Sequence, residues 1–228
     1  MKEKIIVIIP AYNEEKSIGL VVAEIPPIAD EIIVVDNNST DHTSAVARNA
    51  GATVLFQPLP GYGNACLKGI EHLKEAQLKP DIVVFLDGDY SDYPEQLPLL
   101  IKPIIDDHYD MVIGSRQLGN RERGSMTPQQ IFGNKLATVL LRWLYKVRYT
   151  DLGPFRAIKY ESLIRLNMVD KNYGWTVEMQ VKAAKLKMKT CEVAVNYRNR
   201  IGISKVSGTL KGSVLAGYKI ILTIFEYV

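Results

Sequence analysis

The sequence contains few of the residues that build disulfide-bonded or zinc-bound proteins. Among 228 residues there are two cysteines, Cys66 and Cys191, too few for a disulfide framework or a cysteine-based zinc site. This scarcity also predicts a reducing compartment. The three histidines, at positions 42, 72 and 108, show no metal-ligand spacing. The sequence therefore excludes a small disulfide scaffold and a cysteine-based zinc protein.

Long apolar runs are missing as well. No uncharged apolar stretch reaches the roughly 18 residues of a membrane-spanning helix. Residues 1–4 are followed by five apolar residues, a run too short for a signal peptide. We therefore expect a cytoplasmic protein.

Two common nucleotide-binding signatures are absent. The first predicted strand ends in P-A-Y-N-E-E at residues 10–15, where a dinucleotide-binding protein would carry G-x-G-x-x-G. Gly119 and Gly124 have the spacing of a P-loop, but Ser125 stands where that loop requires lysine. These absences argue against a Rossmann dehydrogenase and a P-loop nucleotidase.

The composition is that of an ordinary globular protein, but its charge is divided unevenly. Hydrophobic residues make up 47% and charged residues 23%, which excludes a disordered or collagen-like chain. Residues 1–114 hold 8 Lys and Arg against 18 Asp and Glu, whereas residues 115–228 hold 20 against 7. This asymmetry suggests a front half that holds a cation and a back half that meets anions or a membrane surface. Two solvated faces of opposite sign would give the same composition.

Apolar runs and helical patterns alternate along the chain. The pattern predicts strands at 5–9, 31–35, 53–56, 82–86, 111–113, 155–159 and 190–197. It predicts helices near 15–24, 41–49, 64–76, 95–106, 129–147, 174–186 and 208–227, with a basic loop at 119–127. We therefore predict an α/β fold with a doubly wound, mostly parallel sheet, in one domain spanning 1–228. In such sheets ligands bind beyond the carboxyl ends of the strands.

An acidic motif follows the fourth predicted strand. Residues 82–86 are all apolar, which is typical of a strand buried on both faces. Asp87 and Asp89 come next and share a face of an extended chain, and Gly88 leaves room for a ligand between them. Two carboxylates this close repel each other unless a cation lies between them. The motif therefore predicts an Mg²⁺ or Mn²⁺ site that bridges carboxylate and diphosphate oxygens, although a solvated turn remains an alternative.

Basic clusters follow other predicted strand ends. Arg116 comes after the fifth strand, Arg121 and Arg123 lie in the basic loop, and Arg200 and Lys205 follow the last strand. Arginine clusters of this kind are suited to holding phosphate, although any one of them can be a surface charge.

Two further acids are candidates for contacts with sugar or nucleotide. Asp36, at the tip of the second strand, is placed to accept hydrogen bonds from a base or ribose. Asp151 is a rare acid in the basic half, and it is either a turn residue or a contact to the sugar.

Two helices are candidates for contact with a membrane. The helix at 208–227 has a broad apolar face, and the helix at 129–147 places Lys135, Arg142 and Lys146 on one side near Trp143. Both patterns fit packing against the sheet equally well. The functional alternative is an interfacial pair with its basic residues facing anionic lipid.

Taken together, the motifs resemble glycosyltransferase family 2, the inverting nucleotide-sugar transferases of the GT-A fold. The resemblance is carried by I-P-A-Y-N-E-E, V-D-N-N-S-T-D, G-Y-G-N-A, D-G-D, G-S-R, D-L-G-P-F-R and R-x-G-I-S-K. The sequence looks most similar to the branch that transfers mannose or glucose to polyprenyl or dolichyl phosphate. It departs from the mannosyltransferase pattern at residues 90–94 and 152–154, which leaves the sugar open.

The resemblance implies roles for particular residues. Residues 1–114 would bind the nucleotide sugar, and residues 115–228 would form the acceptor side with an amphipathic C-terminal helix. Asp87 and Asp89 would hold the metal and the diphosphate, and the catalytic candidates are Asp89, Arg116 and Asp151. The nucleotide-sugar site would be formed by Pro10, Ala11, Tyr12, Glu14, Asp36, Asn38, Gly63, Asp87, Gly88, Arg200 and Lys205. The acceptor phosphate would meet Arg116, Arg121 and Arg123.

Three functions remain open from the sequence. The first is metal-dependent transfer of a hexose from UDP-glucose or GDP-mannose to polyprenyl phosphate at the cytoplasmic face of a membrane. The second is transfer to a hydroxyl group with Asp151 as base, and the third is a nucleotide-binding module without turnover. No motif predicts nucleic acid as a partner, and the oligomeric state is open.

Overall fold

A computed structural model describes residues 2–75, 79–202 and 210–228. Seven strands are present: β1 (Ile5–Ala11), β2 (Glu31–Asp36), β3 (Thr53–Phe56), β4 (Ile82–Phe85), β5 (Met111–Ser115), β6 (Arg156–Lys159) and β7 (Thr190–Ala194). The helices are α1 (Ile18–Glu24), α2 (Thr43–Asn49), α3 (Tyr62–Glu75), α4 (Leu97–Asp106), α5 (Pro128–Tyr145), α6 (Tyr160–Leu166), α7 (Trp175–Lys185) and α8 (Leu210–Glu226).

The seven strands form one sheet in the order β3-β2-β1-β4-β6-β5-β7. Four of its pairings are parallel, and β6 runs antiparallel to both of its neighbours, β4 and β5. The predicted α/β class and mostly parallel sheet are confirmed. The strand order also reverses between β1 and β4, which places a crevice at the carboxyl ends of these two strands.

Helices cover both faces of the sheet and bury alternate residues of each strand. Along β1, Ile6 and Ile8 pack with α3, α5 and α7, whereas Ile5, Val7 and Ile9 pack with α1 and α4. All five side chains are buried, and full burial of each contributes about 1.5–3 kcal/mol. The central strands are therefore a rigid base for the loops at their ends.

The predicted boundaries needed small corrections. The first helix begins at Ile18 rather than near residue 15, because the backbone NH groups of Asn13, Glu14 and Glu15 bond to side chains of residues 39–43. β7 ends at Ala194, and the short helix α6 was not predicted. The predicted start of the last helix at 208 lies outside the described residues.

One predicted ligand contact, Gly63, has a packing role in this fold. It lies at the start of α3, where a Cβ atom would come within 2.1 Å of the carbonyl oxygen of Asp170. The glycine therefore allows α3 to approach the segment that precedes α7. That segment is also held by a hydrogen bond of 2.9 Å from the Asn64 NH to the carbonyl oxygen of Lys171.

We expect Gly63→Ala to destabilise the protein by about 1–3 kcal/mol, because the methyl group must displace backbone rather than a flexible side chain. Gly133 of α5 is the matched control, since a Cβ there meets no described atom within 4 Å. Gly133→Ala should be neutral or stabilising by up to about 1 kcal/mol. Urea unfolding measures both changes, and a Gly63→Ala variant as stable as the parent would contradict the packing role.

Candidate active site

A cavity of about 790 Å³ lies at the crevice beyond β1 and β4. One wall comes from the loops after these strands, with Pro10, Tyr12, Asp87 and Asp89. The opposite wall comes from the N-terminal ends of α5 and α7 and from the middle of α8. The predicted nucleotide-sugar residues that line it are Pro10, Ala11, Tyr12, Glu14, Asp87, Gly88, Asp89 and Arg200.

The acidic motif forms a cluster of three carboxylates rather than two. Asp89 Oδ1 accepts hydrogen bonds from the Ser91 backbone NH (2.9 Å) and hydroxyl (2.5 Å). Asp87 Oδ1 and both oxygens of Asp92 are buried without a hydrogen-bond partner among the described residues. Asp92 was not predicted as a site residue, although the spacing D-G-D-Y-S-D contains it. We call Asp87, Asp89 and Asp92 the acid cluster.

Burial and mutual repulsion hold protons on this cluster. Burial, followed by the negative charge of Asp89, raises the pKa of Asp87 to about 7. Burial and the charge of Asp87 likewise raise the pKa of Asp92 well above its ordinary value. A cation bound beside the cluster would favour the ionised carboxylates and so lower these pKa values.

Arg200 supplies part of that charge. Its Nη1 lies 2.7 Å from Asp89 Oδ2. The segment that carries it is tied to the acid cluster by backbone hydrogen bonds from Arg198 to Ser91 (2.9 Å) and from Ile201 to Asp89 (3.0 Å). The side chain of Arg198 adds an ion pair of 2.7 Å to Glu24. Arg200 is therefore held next to the acid cluster by contacts of both side chain and backbone.

The residues present fit a hard divalent cation. Carboxylate oxygens are the donors that Mg²⁺ and Mn²⁺ prefer, and the orphaned oxygen of Asp87 is placed to serve as one. Within the described ranges, however, no group of three or more His, Cys, Asp or Glu side chains is arranged to hold a metal by itself. A cation at the acid cluster would therefore share oxygens with a bound ligand.

Arg116 and Asp151 form a buried ion pair beside the cavity. The guanidinium of Arg116 contacts both carboxylate oxygens of Asp151, at 2.8 and 2.7 Å, and its backbone NH adds a third bond of 2.8 Å. Burial alone would lower the pKa of Arg116, but pairing with Asp151 raises it above its ordinary value. Arg116 lines the cavity, whereas Asp151 is fully buried and does not. This placement makes Asp151 an anchor for Arg116 and argues against Asp151 as a base.

Other predicted contacts lie away from the cavity wall. Both carboxylate oxygens of Asp36 accept hydrogen bonds, one from the Ser39 NH in the following loop and one from the Ser44 hydroxyl at the start of α2. Asn38 is exposed in the left-handed region (φ 64°). The neighbouring Asn37, which was not predicted, lines the cavity instead. It also holds the 57–61 loop through bonds to Gln57, Leu59 and Gly61.

The basic loop lines the cavity through Met126 and not through its arginines. Arg121 and Arg123 are exposed, and Arg121 Nη1 lies 3.2 Å from the sulfur of Met126. Lys205 lies outside the described residues.

A second buried arginine, Arg156, was not predicted as part of the site. It donates hydrogen bonds to the carbonyl oxygens of Leu152 and Thr176 at 2.9 Å and of Gly153 at 3.0 Å. Its burial lowers its pKa to about 10. Because Leu152 and Thr176 both line the cavity, Arg156 holds this part of the cavity wall in place.

Comparison with known proteins identifies the family. The sequence model described as "Glycosyl transferase family 2" matches residues 6–166. The chain therefore belongs to glycosyltransferase family 2, and it is a glycosyltransferase with the GT-A fold.

Several relatives and solved structures are similar over most of the chain. A Mycobacterium tuberculosis protein named an uncharacterized glycosyltransferase is 36% identical over 219 residues, covering 94% of each chain. A dolichyl-phosphate hexose transferase of Haloferax volcanii is 33% identical over 215 residues, covering 92% of this chain and 89% of the relative. Glucosyl-3-phosphoglycerate synthase of M. tuberculosis, solved with Mn²⁺ and UDP, superposes with a TM-score of 0.76 at 24% identity. That match covers 99% of this chain and 80% of the synthase and supports the fold.

The raised pKa of Asp87 predicts a pH-dependent stability. The folded state holds this proton more tightly than the unfolded state, so the free energy of unfolding should fall as pH rises from 3.8 to about 7. In Asp87→Asn the free energy of unfolding should fall less steeply with pH. Above about pH 7 the variant should be more stable than the parent by about 1 kcal/mol or more.

Thermal unfolding in chelator across this pH range measures the effect. Asp106→Asn, at an exposed carboxylate of α4, is the control and should keep the parental slope. Identical slopes in Asp87→Asn and the parent would show that Asp87 does not carry the proton.

Proposed function

We propose that this chain transfers a hexose, with inversion, from UDP-glucose or GDP-mannose to the phosphate of a polyprenyl or dolichyl phosphate. The observation that carries the proposal is Arg116, which stays cationic in the wall of the cavity that also holds Asp87 and Asp89. Such a cavity has an acid-lined half for a donor diphosphate and a fixed positive charge for an acceptor phosphate. The 33% identity to a dolichyl-phosphate hexose transferase supports the same acceptor class.

On the donor side, Asp87 and Asp89 would hold Mg²⁺ or Mn²⁺ against the diphosphate. A divalent ion bound there supplies Lewis-acid charge to the leaving nucleoside diphosphate. Arg200, already 2.7 Å from Asp89, adds a second positive charge beside the same leaving group. A Cβ at Gly88 would meet Ile9, Pro10 and Ile18 only at 3.4 Å, an ordinary contact, so protein packing does not require this glycine. Close approach of the donor explains it.

On the acceptor side, the nucleophile is an anion. A phosphate monoester has a second pKa of about 6 and is largely dianionic at neutral pH. Its oxygen attacks the anomeric carbon directly, and it needs cations that orient it rather than a strong base. Arg116 performs this role together with Arg121 and Arg123 of the basic loop.

The alternative with a hydroxyl acceptor is less well supported. It requires Asp151 to remove a proton, but both of its carboxylate oxygens are bonded to Arg116 and the side chain is 0% exposed. A radiolabelled-donor assay that offers polyprenyl phosphate and free sugars side by side separates the two. Label in free sugars alone would reject the lipid-phosphate proposal.

We further propose that α5 and α8 place the enzyme on the cytoplasmic face of a membrane. Within the described ranges, no helix is long and apolar enough to cross a bilayer. Instead, exposed apolar residues lie on both helices, and we call them the apolar face: Ile131, Phe132, Val139 and Trp143 on α5, and Leu215, Tyr218, Leu222 and Phe225 on α8. Exposed Lys135, Arg142 and Lys146 border them on α5. Aromatic rings beside cations suit an anionic lipid surface.

Asp87→Asn and Asp89→Asn should each lower transfer by about 10²-fold or more, because the leaving diphosphate loses its charge stabilisation. Asp106→Asn should keep parental activity. Initial rates with saturating donor and Mn²⁺ measure this, together with Mn²⁺ binding followed by electron paramagnetic resonance. Full turnover by either variant would remove the metal role.

Trp143→Ser should weaken sedimentation with anionic liposomes about tenfold, because one aromatic ring no longer enters the interface. Phe56→Ser, at an exposed ring on the far edge of the sheet, is the control and should bind like the parent. Binding should also fall with added salt. Parental binding by Trp143→Ser, or no binding by the parent at low salt, would contradict the membrane proposal.

A further inference from the structure

The cavity extends from the acid cluster to a groove between α5 and α8. The groove is walled by Gly133 of α5 and by Ala216, Gly217 and Ile220 of α8. The two helices are joined beyond it by a hydrogen bond of 2.5 Å from the Tyr145 hydroxyl to a carbonyl oxygen of α8. This bond holds the two helices together, and we call the solvent-exposed end of the groove its mouth.

The two glycines of this groove have no explanation within the protein. Neither has the positive φ that favours glycine. A Cβ at Gly133 or Gly217 would meet no described atom within 4 Å. Glycine inside a helix costs about 1 kcal/mol relative to alanine. Since the chain accepts this cost twice in the wall of one cavity, we attribute both glycines to the space that they leave open.

The inner part of the cavity combines a charged side chain with apolar surface. Arg116 lines it together with Leu152, Trp175 and Ile220. A ligand with an anionic head and an apolar chain fits this combination.

The mouth of the groove opens onto the apolar face. Phe132, next to Gly133, is 70% exposed, and Tyr218, next to Gly217, is 65% exposed. An apolar chain leaving the cavity between the glycines would therefore pass directly onto aromatic surface.

We infer that the groove between α5 and α8 admits the hydrocarbon chain of the acceptor, and that Gly133 and Gly217 determine specificity for a long chain. This inference rests on the proposed transfer to a lipid phosphate. With the phosphate held at Arg116, the first isoprene units lie between the two glycines and the remainder continues past Phe132 and Tyr218. Side chains at the glycine positions would narrow this path without touching the donor site.

Gly133→Leu and Gly217→Leu test the inference with two acceptors that share a phosphate head, undecaprenyl phosphate and farnesyl phosphate. The assay uses detergent micelles, so membrane docking does not enter. We expect kcat/KM for undecaprenyl phosphate to fall about tenfold or more, with a clearly smaller loss for farnesyl phosphate. The shift in melting temperature caused by nucleotide sugar and Mn²⁺ should match the parent.

Lys102→Leu is the control, because it adds a leucine at an exposed position of helix α4, outside both the cavity wall and the apolar face. It should retain the parental preference between acceptors. The double alanine variant, Gly133→Ala with Gly217→Ala, favours helix formation and so guards against misfolding of the leucine variants. It should show the same chain-length bias to a smaller degree.

The outcomes separate this inference from the proposed function. A parent enzyme that transfers to neither lipid phosphate would reject the proposed function and the groove with it. A parent that uses both, with variants that lose neither or lose both equally, would reject the groove and leave the proposed function standing.

Discussion

The site depends on negative charge that the protein concentrates and does not neutralise by itself. The acid cluster lies at the end of β4, a strand buried on both faces. Burial raises the pKa of Asp87 and of Asp92, and the charge of a neighbouring carboxylate, Asp89 for Asp87 and Asp87 for Asp92, raises it further. Arg200 neutralises part of this charge through its ion pair with Asp89. The segment that carries Arg200 is hydrogen-bonded to the backbone of the cluster. A divalent cation would offset the remaining negative charge and would leave positive charge for a bound diphosphate. The arrangement is costly for stability and is preorganised for a charged ligand.

Two buried arginines, Arg116 and Arg156, stabilise the loops around the cavity. Arg116 is paired with Asp151, and Arg156 is bonded to three backbone carbonyl groups of the adjacent wall. A buried guanidinium is tolerated only when its NH groups are bonded, so these contacts fix both the loop and the charge. Within the motif D-L-G-P-F-R, Asp151 therefore holds Arg116 in position at the cavity wall. Asp151 itself is buried and does not line the cavity.

The helices α5 and α8 lie between the cavity and the protein surface. Their N-terminal and middle turns line the cavity, and their outer sides carry the apolar face. Gly133 of α5 and Gly217 of α8 line the cavity at positions where a Cβ atom would meet no described atom within 4 Å. The proposed acceptor class, the proposed membrane surface and the proposed chain groove all follow from this one pair of helices.

The sequence by itself determined the fold class, the acidic motif and the family. Runs of apolar residues specify buried strands, the turns at their ends carry the polar residues, and both patterns are local enough to read along the chain. Asp87, Asp89 and the first loop at Pro10–Tyr12 lie where these patterns placed them, at the cavity. Strand order, and with it the antiparallel β6, could not be read in this way.

Only the tertiary structure decided which charges meet. Asp151 and Arg116 are 35 residues apart, and Arg200 reaches Asp89 from the far end of the chain. The sequence offered Asp151 as a possible base, yet the folded chain encloses it with an arginine. The sequence likewise predicted that Asp36 and Gly63 contact the ligand. In the folded chain, the carboxylate of Asp36 is hydrogen-bonded to Ser39 and Ser44, and Gly63 packs against the backbone of Asp170. A side chain's chemistry depends on its solvation and partners, and these are fixed by long-range packing rather than by local sequence.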